Sequence, residues 1–409
     1  MRSVEEHQRV IARLISPRQA GGAPLADALG LVLADDVIAG LSLPVFDNSA
    51  MDGYAVRVED VAGASASEPV KLVVAEDIPA GRIDSPILVP GTAHRIMTGA
   101  PMPPGATAVV PVERTDGRVD TVTISASATP GQHIRRAGED VAVGTRVLDA
   151  GRVVTPAVLG LVAALGLGEL PVIGRQRVLV ISTGSELVAP GAALLPGQIY
   201  ESNAIMLAAA AQEAGAEVVA VLTCDDDIER FTAMLDSYAD RADLIITSGG
   251  ISAGAYEVVK DALEGDDGRV EFIKVAMQPG MPQGAGTVHD TAIVTLPGNP
   301  VSALVSFEVL IRPALRAAMG FPQPNRPLRF GVLAEPITSP AGKRQFRRGV
   351  YDPDTGIVLS YGPPASHHLR WLASANCLLD IAAEVTALDA GDRVELWDLS
   401  TDLTADVRP

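Results

Sequence analysis

The feature that most constrains the fold is a segment in which a buried strand passes through a Gly/Asn loop into a helix. The run Thr291–Leu296 is apolar and β-branched, which predicts a strand, and residues 301–319 carry apolar side chains at helical spacing up to Gly320. Pro300 lies at the first helical position, where its missing N–H is tolerated. A strand that enters a helix in this way directs backbone N–H groups towards the sheet edge, and this arrangement favours anions.

Strand-like and helix-like runs alternate along the chain between Arg177 and Gly320. The strand candidates cover residues 178–182, 217–223, 243–247, 272–277 and 292–296, and the helix candidates cover residues 202–214, 226–239 and 255–263. Units of this length predict a doubly wound α/β domain, with a parallel sheet covered by helices on both faces. Short β-branched runs before Arg146 predict a β-rich region, and the runs after Pro327 predict a small barrel or sandwich. The expected fold class is therefore multidomain α/β plus β.

Length and charge limit the possible functions. A chain of 409 residues exceeds the size of a single core, so several domains are expected. The formal net charge of −18 argues against a nucleic-acid partner, although local donors can still hold a small phosphorylated ligand. No apolar run reaches the length of a bilayer span, and the N-terminus lacks the apolar stretch of a signal peptide. With only Cys224 and Cys377 as cysteines, a cytoplasmic protein without membrane association is expected.

Three of the predicted strands end in loops of small and hydroxyl-bearing residues. Ligands of open α/β sheets bind outside the carboxyl ends of the strands, where small residues let ligand oxygens approach the backbone. A single loop of this kind is explained by ordinary turn chemistry, but three in one domain favour a binding site. The candidate binding residues are Ser182, Thr183, Gly184, Ser248, Gly249, Gly250, Ser252, Gly254, Pro297, Gly298, Asn299 and Ser302.

Several polar segments have both a functional and a structural interpretation. The segment from Asp47 to Val56 contains Asp52 before a strand, which indicates either a site or an Asx-turn. Two arginines beside Glu139 and Asp140 are also explained by a surface ion-pair cluster. Residues 225–227 are three aspartates, which either bind a divalent cation or cap the next helix.

The densest basic run of the chain covers residues 343–348. It is either a solvated turn or a clamp for an oxyanion. The adjacent histidines His367 and His368 lie in a Pro-rich loop and are expected at the surface rather than on a metal.

Taken in order, these segments resemble the molybdopterin molybdenumtransferase family, which includes bacterial MoeA and the E domain of gephyrin. The resemblance extends over essentially the whole chain. The matching segments are residues 47–56, 96–104, 135–140, 182–187, 199–203, 247–254 and 296–303.

This resemblance implies a homodimer of four-domain subunits. It implies an extended dimerisation domain at residues 1–40 and 146–175, a β-rich inserted domain at 41–145, an α/β molybdopterin-binding domain at 176–321 and a C-terminal β-barrel at 326–409. The implied reaction inserts molybdate into adenylylated molybdopterin, releases AMP and uses Mg²⁺. The implied upstream partner is a molybdopterin adenylyltransferase.

The resemblance also implies roles for single residues. Asp52, Thr98, Asp140 and Glu186 match positions important for activity, and Asp226, with Glu186 and Asp52, matches acids near the cation. Positions that receive molybdate are matched by Ser302 and Arg348, more weakly by Ser374, and Lys274 is a retained upstream lysine.

Two departures from the family pattern leave alternatives open. A Lys-Pro-Gly-Lys-Pro stretch is usual in the family, whereas this chain has Gln278 and Met281 at the two lysine positions. Glu257 stands where an aspartate is common. A molybdopterin-binding scaffold or carrier without turnover is therefore one alternative, and a relative that handles tungstate is another.

Overall fold

The computed structural model describes residues 1–238, 240–250, 258–264 and 269–400. The chain divides into two compact units. One unit contains Met1–Asp35, Ala150–Thr155 and Glu169–Pro409, and the other contains Asp36–Asp149 and Pro156–Gly168. The division into four domains stays a prediction.

The smaller unit is β-rich, as predicted, and its main sheet has five strands. In sheet order these are Ala108–Pro111, Gly53–Val56, Thr92–Ile96, Val70–Ile78 and Thr121–Ile124. Alternate residues of the interior strand Gly53–Val56 enter cores on opposite faces of the sheet, with Tyr54 on one face and Ala55 on the other. The other elements of this unit are the strands Val37–Ile38, Asn48–Ser49, Ile134–Arg135 and Arg146–Leu148, the short 3₁₀ turns Val58–Val61 and Val112–Arg114, and the helix Pro156–Ala164.

The larger unit contains the predicted α/β domain, built on a six-stranded sheet. In sheet order its strands are Glu217–Cys224, Arg177–Thr183, Leu244–Ser248, Thr291–Leu296, Pro282–Val288 and Val270–Lys274. The first four strands are parallel to one another. Pro282–Val288 pairs antiparallel with both of its neighbours, so the edge strand Val270–Lys274 runs in the same direction as the first four. The short strands Leu187–Val188 and Ile199–Tyr200 form a separate parallel pair in the first strand-to-helix connection.

Both faces of this sheet are covered, and its central strands Leu244–Ser248 and Thr291–Leu296 are buried at every position. Val178 and Val180 enter one core, which also contains the helices Val4–Leu14, Asn203–Glu213, Pro300–Ser306 and Arg312–Ala318. Leu179 and Ile181 enter a second core with the helices Ile228–Tyr238 and Val258–Glu264. Successive side chains of a strand point to opposite faces, so a continuous apolar run is stable only when both faces are packed.

The prediction of an entirely parallel sheet was wrong for the strand Pro282–Val288, which runs antiparallel to both of its neighbours. Gly284 and Gly286 interrupt the side-chain pattern that predicts a strand, but close packing requires a glycine at both positions. A Cβ at Gly284 would lie 2.2 Å from the Thr295 side-chain oxygen, and one at Gly286 would lie 2.0 Å from the Arg269 carbonyl oxygen. The predicted helix over residues 301–319 is present but contains a π-helical turn at Phe307–Ile311.

The C-terminal region forms a closed β-barrel of five strands, which confirms the barrel expectation. In order around the barrel they are Arg344–Tyr351, Ile357–Ser360, Leu328–Leu333, Arg393–Asp398 and Cys377–Ile381, which returns to the first. Leu333, Val358, Leu379 and Leu396 pack in its interior. The strand Met277–Gln278 of the preceding domain extends this sheet by pairing with Arg344–Tyr351. The strands Ile337–Thr338 and Ala387–Leu388 and the helix Leu369–Ala373 complete the region.

The N-terminal helix Val4–Leu14 begins with the predicted capping box. The Glu6 backbone N–H donates to the Ser3 hydroxyl, and the Ser3 N–H donates to the Glu6 carboxylate. The sheet that follows has the strands Ala20–Pro24, Glu169–Ile173 and Val32–Leu33 in that order. None of the helices among the described residues has the length and apolar character needed to cross a membrane.

The buried charge cluster beside the π-helical turn provides a stability prediction. Glu308 is 4% exposed, and its carboxylate accepts hydrogen bonds from Arg326 at 2.8 and 3.0 Å and lies 3.4 Å from Arg312. We expect Glu308→Ala to lower the free energy of unfolding by about 3 kcal/mol or more, because it removes the carboxylate that two buried guanidinium groups share and leaves Arg326, among the described residues, with Glu213 alone. Urea unfolding measures this change. The control Glu271→Ala breaks a more exposed pair with Arg2 and should cost less than about 1 kcal/mol.

Candidate functional site

A large cavity lies at the carboxyl ends of three parallel strands of the α/β domain. Its volume is about 1130 Å³, and it has walls from all three predicted loops, from the segment 277–282 and from the barrel region. The α/β domain contributes Ser182, Thr183, Gly184, Glu186, Leu187, Ile199, Tyr200, Glu201, Ser202, Asn203, Asp226, Ser248, Gly249, Gly250, Pro297, Gly298, Asn299, Pro300 and Ser302, and the barrel region contributes Lys343, Pro364, Ala365, Ser366, His367 and Leu369. The three loops predicted to form one site therefore do converge.

Small residues are needed where these loops meet. Gly249 has a φ of +99°, and a Cβ there would lie 2.6 Å from the Thr183 carbonyl oxygen. A Cβ at Gly298 would already lie 3.4 Å from the Gly249 Cα atom. No side chain fits between these backbones, so part of the cavity wall is backbone that a ligand can approach.

Buried polar side chains fix the loops to one another. The Glu201 carboxylate accepts a hydrogen bond from the Ser182 hydroxyl at 2.8 Å and another from the Ala204 N–H at 2.7 Å. Asn203 donates to the Ser248 hydroxyl at 2.9 Å and to the Gly298 carbonyl at 2.7 Å. One asparagine thus connects the second and third loops.

Two buried oxygens of the cavity wall have no hydrogen-bond partner among the described residues. These are the Thr183 hydroxyl and the Asn203 side-chain carbonyl. Buried polar groups are normally paired, so both oxygens are available for a ligand. The Thr183 hydroxyl can donate as well as accept, and the Asn203 oxygen can only accept.

The helix that begins at Pro300 does not offer all of its first backbone N–H groups to a ligand, although the sequence predicted that it would. Pro300 is the first helical residue, as predicted, and Ser302 lines the cavity with 4% of its surface exposed. The Val301 N–H does not point freely to a ligand, because it donates to the Ser366 carbonyl at 3.0 Å. Backbone donors of this helix therefore also hold the barrel-region loop of the cavity wall.

The three aspartates 225–227 have different environments. Asp227 accepts a hydrogen bond from the Arg230 N–H at 3.0 Å, which confirms the helix-cap interpretation for this residue. Asp225 forms an ion pair with the Arg230 side chain at 3.0 Å. Asp226 lines the cavity and accepts a hydrogen bond from the Ser185 N–H at 3.1 Å. Only Asp226 of the three therefore faces a ligand.

A magnesium ion fits this cavity only with oxygens from a ligand. No group of three or more His, Cys, Asp or Glu side chains that could hold a metal occurs in the part of the chain that the structure describes. Glu186 and Asp226 both line the cavity. Mg²⁺ is usually bound by one or two carboxylates together with phosphate oxygens and water, so these two acids fit such a site.

The basic run 343–348 is divided between the cavity and the barrel. Lys343 lines the cavity. Arg348 is 4% exposed, does not line it, and donates to the carbonyls of His368, at 2.9 Å, and Pro363. Burial lowers the pKa of Arg348. Its contacts hold both ends of the loop at residues 363–368, so Arg348 supports the cavity wall instead of facing the cavity.

Other predicted residues lie outside the cavity or the described residues. Lys274 and Ser374 are exposed and do not line it. Ser252, Gly254 and Glu257 lie outside the described residues. His367 is exposed, as predicted, and is also part of the cavity wall.

Asp52, Thr98 and Asp140 belong to the smaller unit. The Asp52 carboxylate accepts hydrogen bonds from the Thr98 N–H at 2.6 Å and from its hydroxyl at 2.8 Å. The backbone hydrogen bond, followed by the hydroxyl, lowers the pKa of Asp52. The Asp140 side chain is exposed. Nearby, Arg136 forms a surface ion pair at 2.6 Å, but its partner is Asp47 rather than the adjacent acids Glu139 and Asp140.

Reasoning from residue chemistry alone missed the segment Tyr200–Asn203. Its glutamate and asparagine follow a weak strand, and their hydrogen bonds go to loops far away in sequence. The segment was found only through the resemblance. The loop at residues 364–367 was also missed. It is held by hydrogen bonds from Arg348, which lies more than ten residues away, so no local sequence pattern marks it.

Comparisons with known proteins agree over the whole chain. Residues 2–166 match the family described as the MoeA N-terminal region (domain I and II), residues 179–317 match a probable molybdopterin binding domain, and residues 331–399 match the MoeA C-terminal region (domain IV). The chain is 67% identical to molybdopterin molybdenumtransferase 2 of Mycobacterium tuberculosis, over 98% of this chain and 100% of the relative. It is 37% identical to molybdopterin molybdenumtransferase 1 of the same species, over 97% and 98%.

A solved structure supports the same relationship. The fold is similar to the crystal structure of a molybdopterin biosynthesis MoeA protein from Pyrococcus horikoshii, with a TM-score of 0.81 and 29% identity. The similarity covers 98% of this chain and 99% of that chain.

The contacts of Arg348 lead to a prediction about the cavity wall. We expect Arg348→Ala to increase the hydrogen-exchange rate of the amides in residues 363–368, because both anchored carbonyls lose their donor. Exchange mass spectrometry measures this change. The control Arg370→Ala removes an exposed guanidinium from the next helix and should leave this exchange unaltered. Equal exchange in the Arg348 variant and the wild type would contradict the anchoring role.

Proposed function

Because the chain belongs to the MoeA family, we propose that it is a molybdopterin molybdenumtransferase of molybdenum cofactor biosynthesis. The observation that carries the proposal is the cavity of about 1130 Å³ at the strand ends. Its loops lie almost entirely within the segment that matches a molybdopterin-binding domain. The volume is sufficient for a pterin with a nucleotide attached.

The proposed reaction takes adenylylated molybdopterin and molybdate, transfers molybdenum to the dithiolene of the pterin and releases AMP. The loop backbones bind the pterin and its phosphate. Thr183 donates a hydrogen bond from its otherwise unpaired hydroxyl, and Asn203 keeps the second and third loops at a fixed distance.

Glu186 and Asp226 would hold Mg²⁺ together with phosphate oxygens of the substrate. The ion would neutralise the charge of the phosphoanhydride, which makes this group easier to hydrolyse. Asp52, Thr98 and Asp140 are proposed as further catalytic residues from the family resemblance. Within this trio, Thr98 keeps the Asp52 carboxylate ionised and oriented through two hydrogen bonds.

The proposal also includes a homodimer, a molybdopterin adenylyltransferase that supplies the substrate, and a cytoplasmic location. The family resemblance supports these assignments. A net charge of −18 supports the exclusion of nucleic acid.

A binding protein without turnover is the second candidate. It is favoured by Gln278 and Met281, which both line the cavity and offer no positive charge. A preference for tungstate is a further variant of the first proposal, since the two oxyanions have nearly the same size and charge.

Release of AMP from adenylylated molybdopterin tests these alternatives. Molybdate-dependent release supports the transferase, and tungstate-dependent release without a response to molybdate supports the tungstate variant. Tight pterin binding with no AMP release under either condition would favour the carrier and refute the transferase proposal.

We predict that Asp52→Ala abolishes molybdate-dependent AMP release while the fold stays intact. The side chain is exposed and, among the described residues, its hydrogen bonds go to Thr98 alone, so its removal disturbs no core packing. Circular dichroism and the AMP assay measure the two effects. Wild-type release by a folded variant would exclude Asp52 from the mechanism.

We predict that Gly250→Val weakens molybdopterin binding by about tenfold or more and spares dimerisation. A Cβ at Gly250 would lie 2.9 Å from a Val259 methyl and 3.1 Å from the Thr183 hydroxyl. Gly356→Val is a matched control, because its φ of +71° resembles the +64° of Gly250 but no atom lies within 4 Å of the added Cβ. Fluorescence titration measures affinity, and equal values for both variants would exclude a role of this loop.

A further inference from the structure

The side chains that line the cavity carry more negative than positive charge, whereas the proposed substrates are anions. The carboxylates of Glu186, Glu201 and Asp226 line it, and Lys343 is the one lysine or arginine among its described lining residues. Phosphates and oxyanions are held best by charge-assisted hydrogen bonds from cations. A single lysine in this wall therefore has a large influence on anion binding.

The fold fixes the position of Lys343. The next residue, Arg344, donates its backbone N–H to the Ala276 carbonyl at 2.9 Å and is paired with Met277. This pairing places Lys343 beside the segment that supplies Gln278 and Met281 to the cavity wall. By this register Lys343 lies opposite Ala276, so it provides a cation from the barrel to the same cavity wall as Gln278 and Met281.

The arginines of the same run already have partners. Arg344 binds Asp380 at 2.7 Å and Glu5 at 2.5 Å, and Arg347 donates to the Thr338 carbonyl at 3.1 Å. Arg348 is occupied by the carbonyls of the loop 363–368. Lys343 is half-buried and has neither an ion pair nor a side-chain hydrogen bond with any described residue. It is the member of the run whose charge is available to a ligand.

We propose that Lys343 is the cationic contact for a dianionic tetrahedral group bound between the segment 277–281 and the loop 364–367. This inference rests on the proposed function and names a residue for its anion recognition. The group is either free molybdate or the phosphate of the pterin, which share a tetrahedral shape and a double negative charge. Lys274 is the rival, and it is exposed and outside the cavity wall.

Binding measurements on the full-length protein distinguish these sources. Equilibrium dialysis with sodium molybdate measures oxyanion affinity, and fluorescence titration measures molybdopterin affinity. The variants are Lys343→Gln, Lys274→Gln and Lys343→Gln combined with Gln278→Lys, with Lys71→Gln as a control for loss of an exposed lysine in the smaller unit. Melting temperatures show whether each variant is folded.

We expect Lys343→Gln to weaken one of the two ligands by about tenfold or more, the loss typical of one charge-assisted hydrogen bond. The ligand affected identifies the anion. Gln278→Lys should restore part of this affinity because it returns a cation to the same wall. The Lys71 and Lys274 variants should bind both ligands as the wild type does.

Two results would overturn the inference in different ways. If wild-type protein binds molybdopterin and Lys343→Gln leaves both affinities unchanged, or if Lys274→Gln is the variant that weakens binding, the role of Lys343 is refuted while the proposed function stands. If the wild type binds neither ligand, the proposed function fails together with the inference.

Discussion

The close approach of the strand-end loops is the constraint on which the site depends. Gly249 and Thr183 are so near that no Cβ fits between them, and this proximity follows from the parallel pairing of their strands. The pairing in turn requires two packed faces, since Val178 to Ile181 alternate between two cores. We therefore expect a substitution that disturbs either core to displace the loops of the cavity wall. Stability and binding are therefore coupled in this domain.

The barrel region shares apolar packing with the α/β domain, through Phe346, Leu378 and Trp397, and it contributes to the same cavity through polar contacts. Arg344 holds the barrel strand to Asp380 and Glu5, while its backbone N–H binds the Ala276 carbonyl. Arg348 and the Val301 N–H hold the loop that covers the strand ends. Hydrogen bonds of this kind are directional, so they set the position of a loop more exactly than apolar packing does. The cavity wall is thus fixed from two domains.

Sequence patterns predicted the parts of the fold that depend on local periodicity. The strand Thr291–Leu296 and the helix entry at Pro300 were found because apolar spacing and proline chemistry act over a few residues. The strand Pro282–Val288 was missed because glycine carries no periodic signal, although neighbouring atoms require it. The three loops of the site were predicted, but the function of Arg348 as an anchor was not. Which carbonyl a buried arginine reaches depends on tertiary structure, so the spacing of residues along the sequence cannot predict it.

The arrangement of charge determines how an acidic protein can bind an anion. Buried carboxylates such as Glu201 are compensated by hydrogen bonds from Ser182 and Ala204 and contribute less repulsion than free ones. The exposed acids Glu186 and Asp226 are instead available to a cation, so a phosphate that arrives with Mg²⁺ meets attraction where a bare phosphate meets repulsion. A bare oxyanion is held best where cationic donors lie, and Lys343 is the one lysine or arginine among the described residues of the cavity wall. The acids and the lysine of this wall therefore suit different anions, as the proposed binding of a phosphoanhydride with Mg²⁺ and of an oxyanion would require.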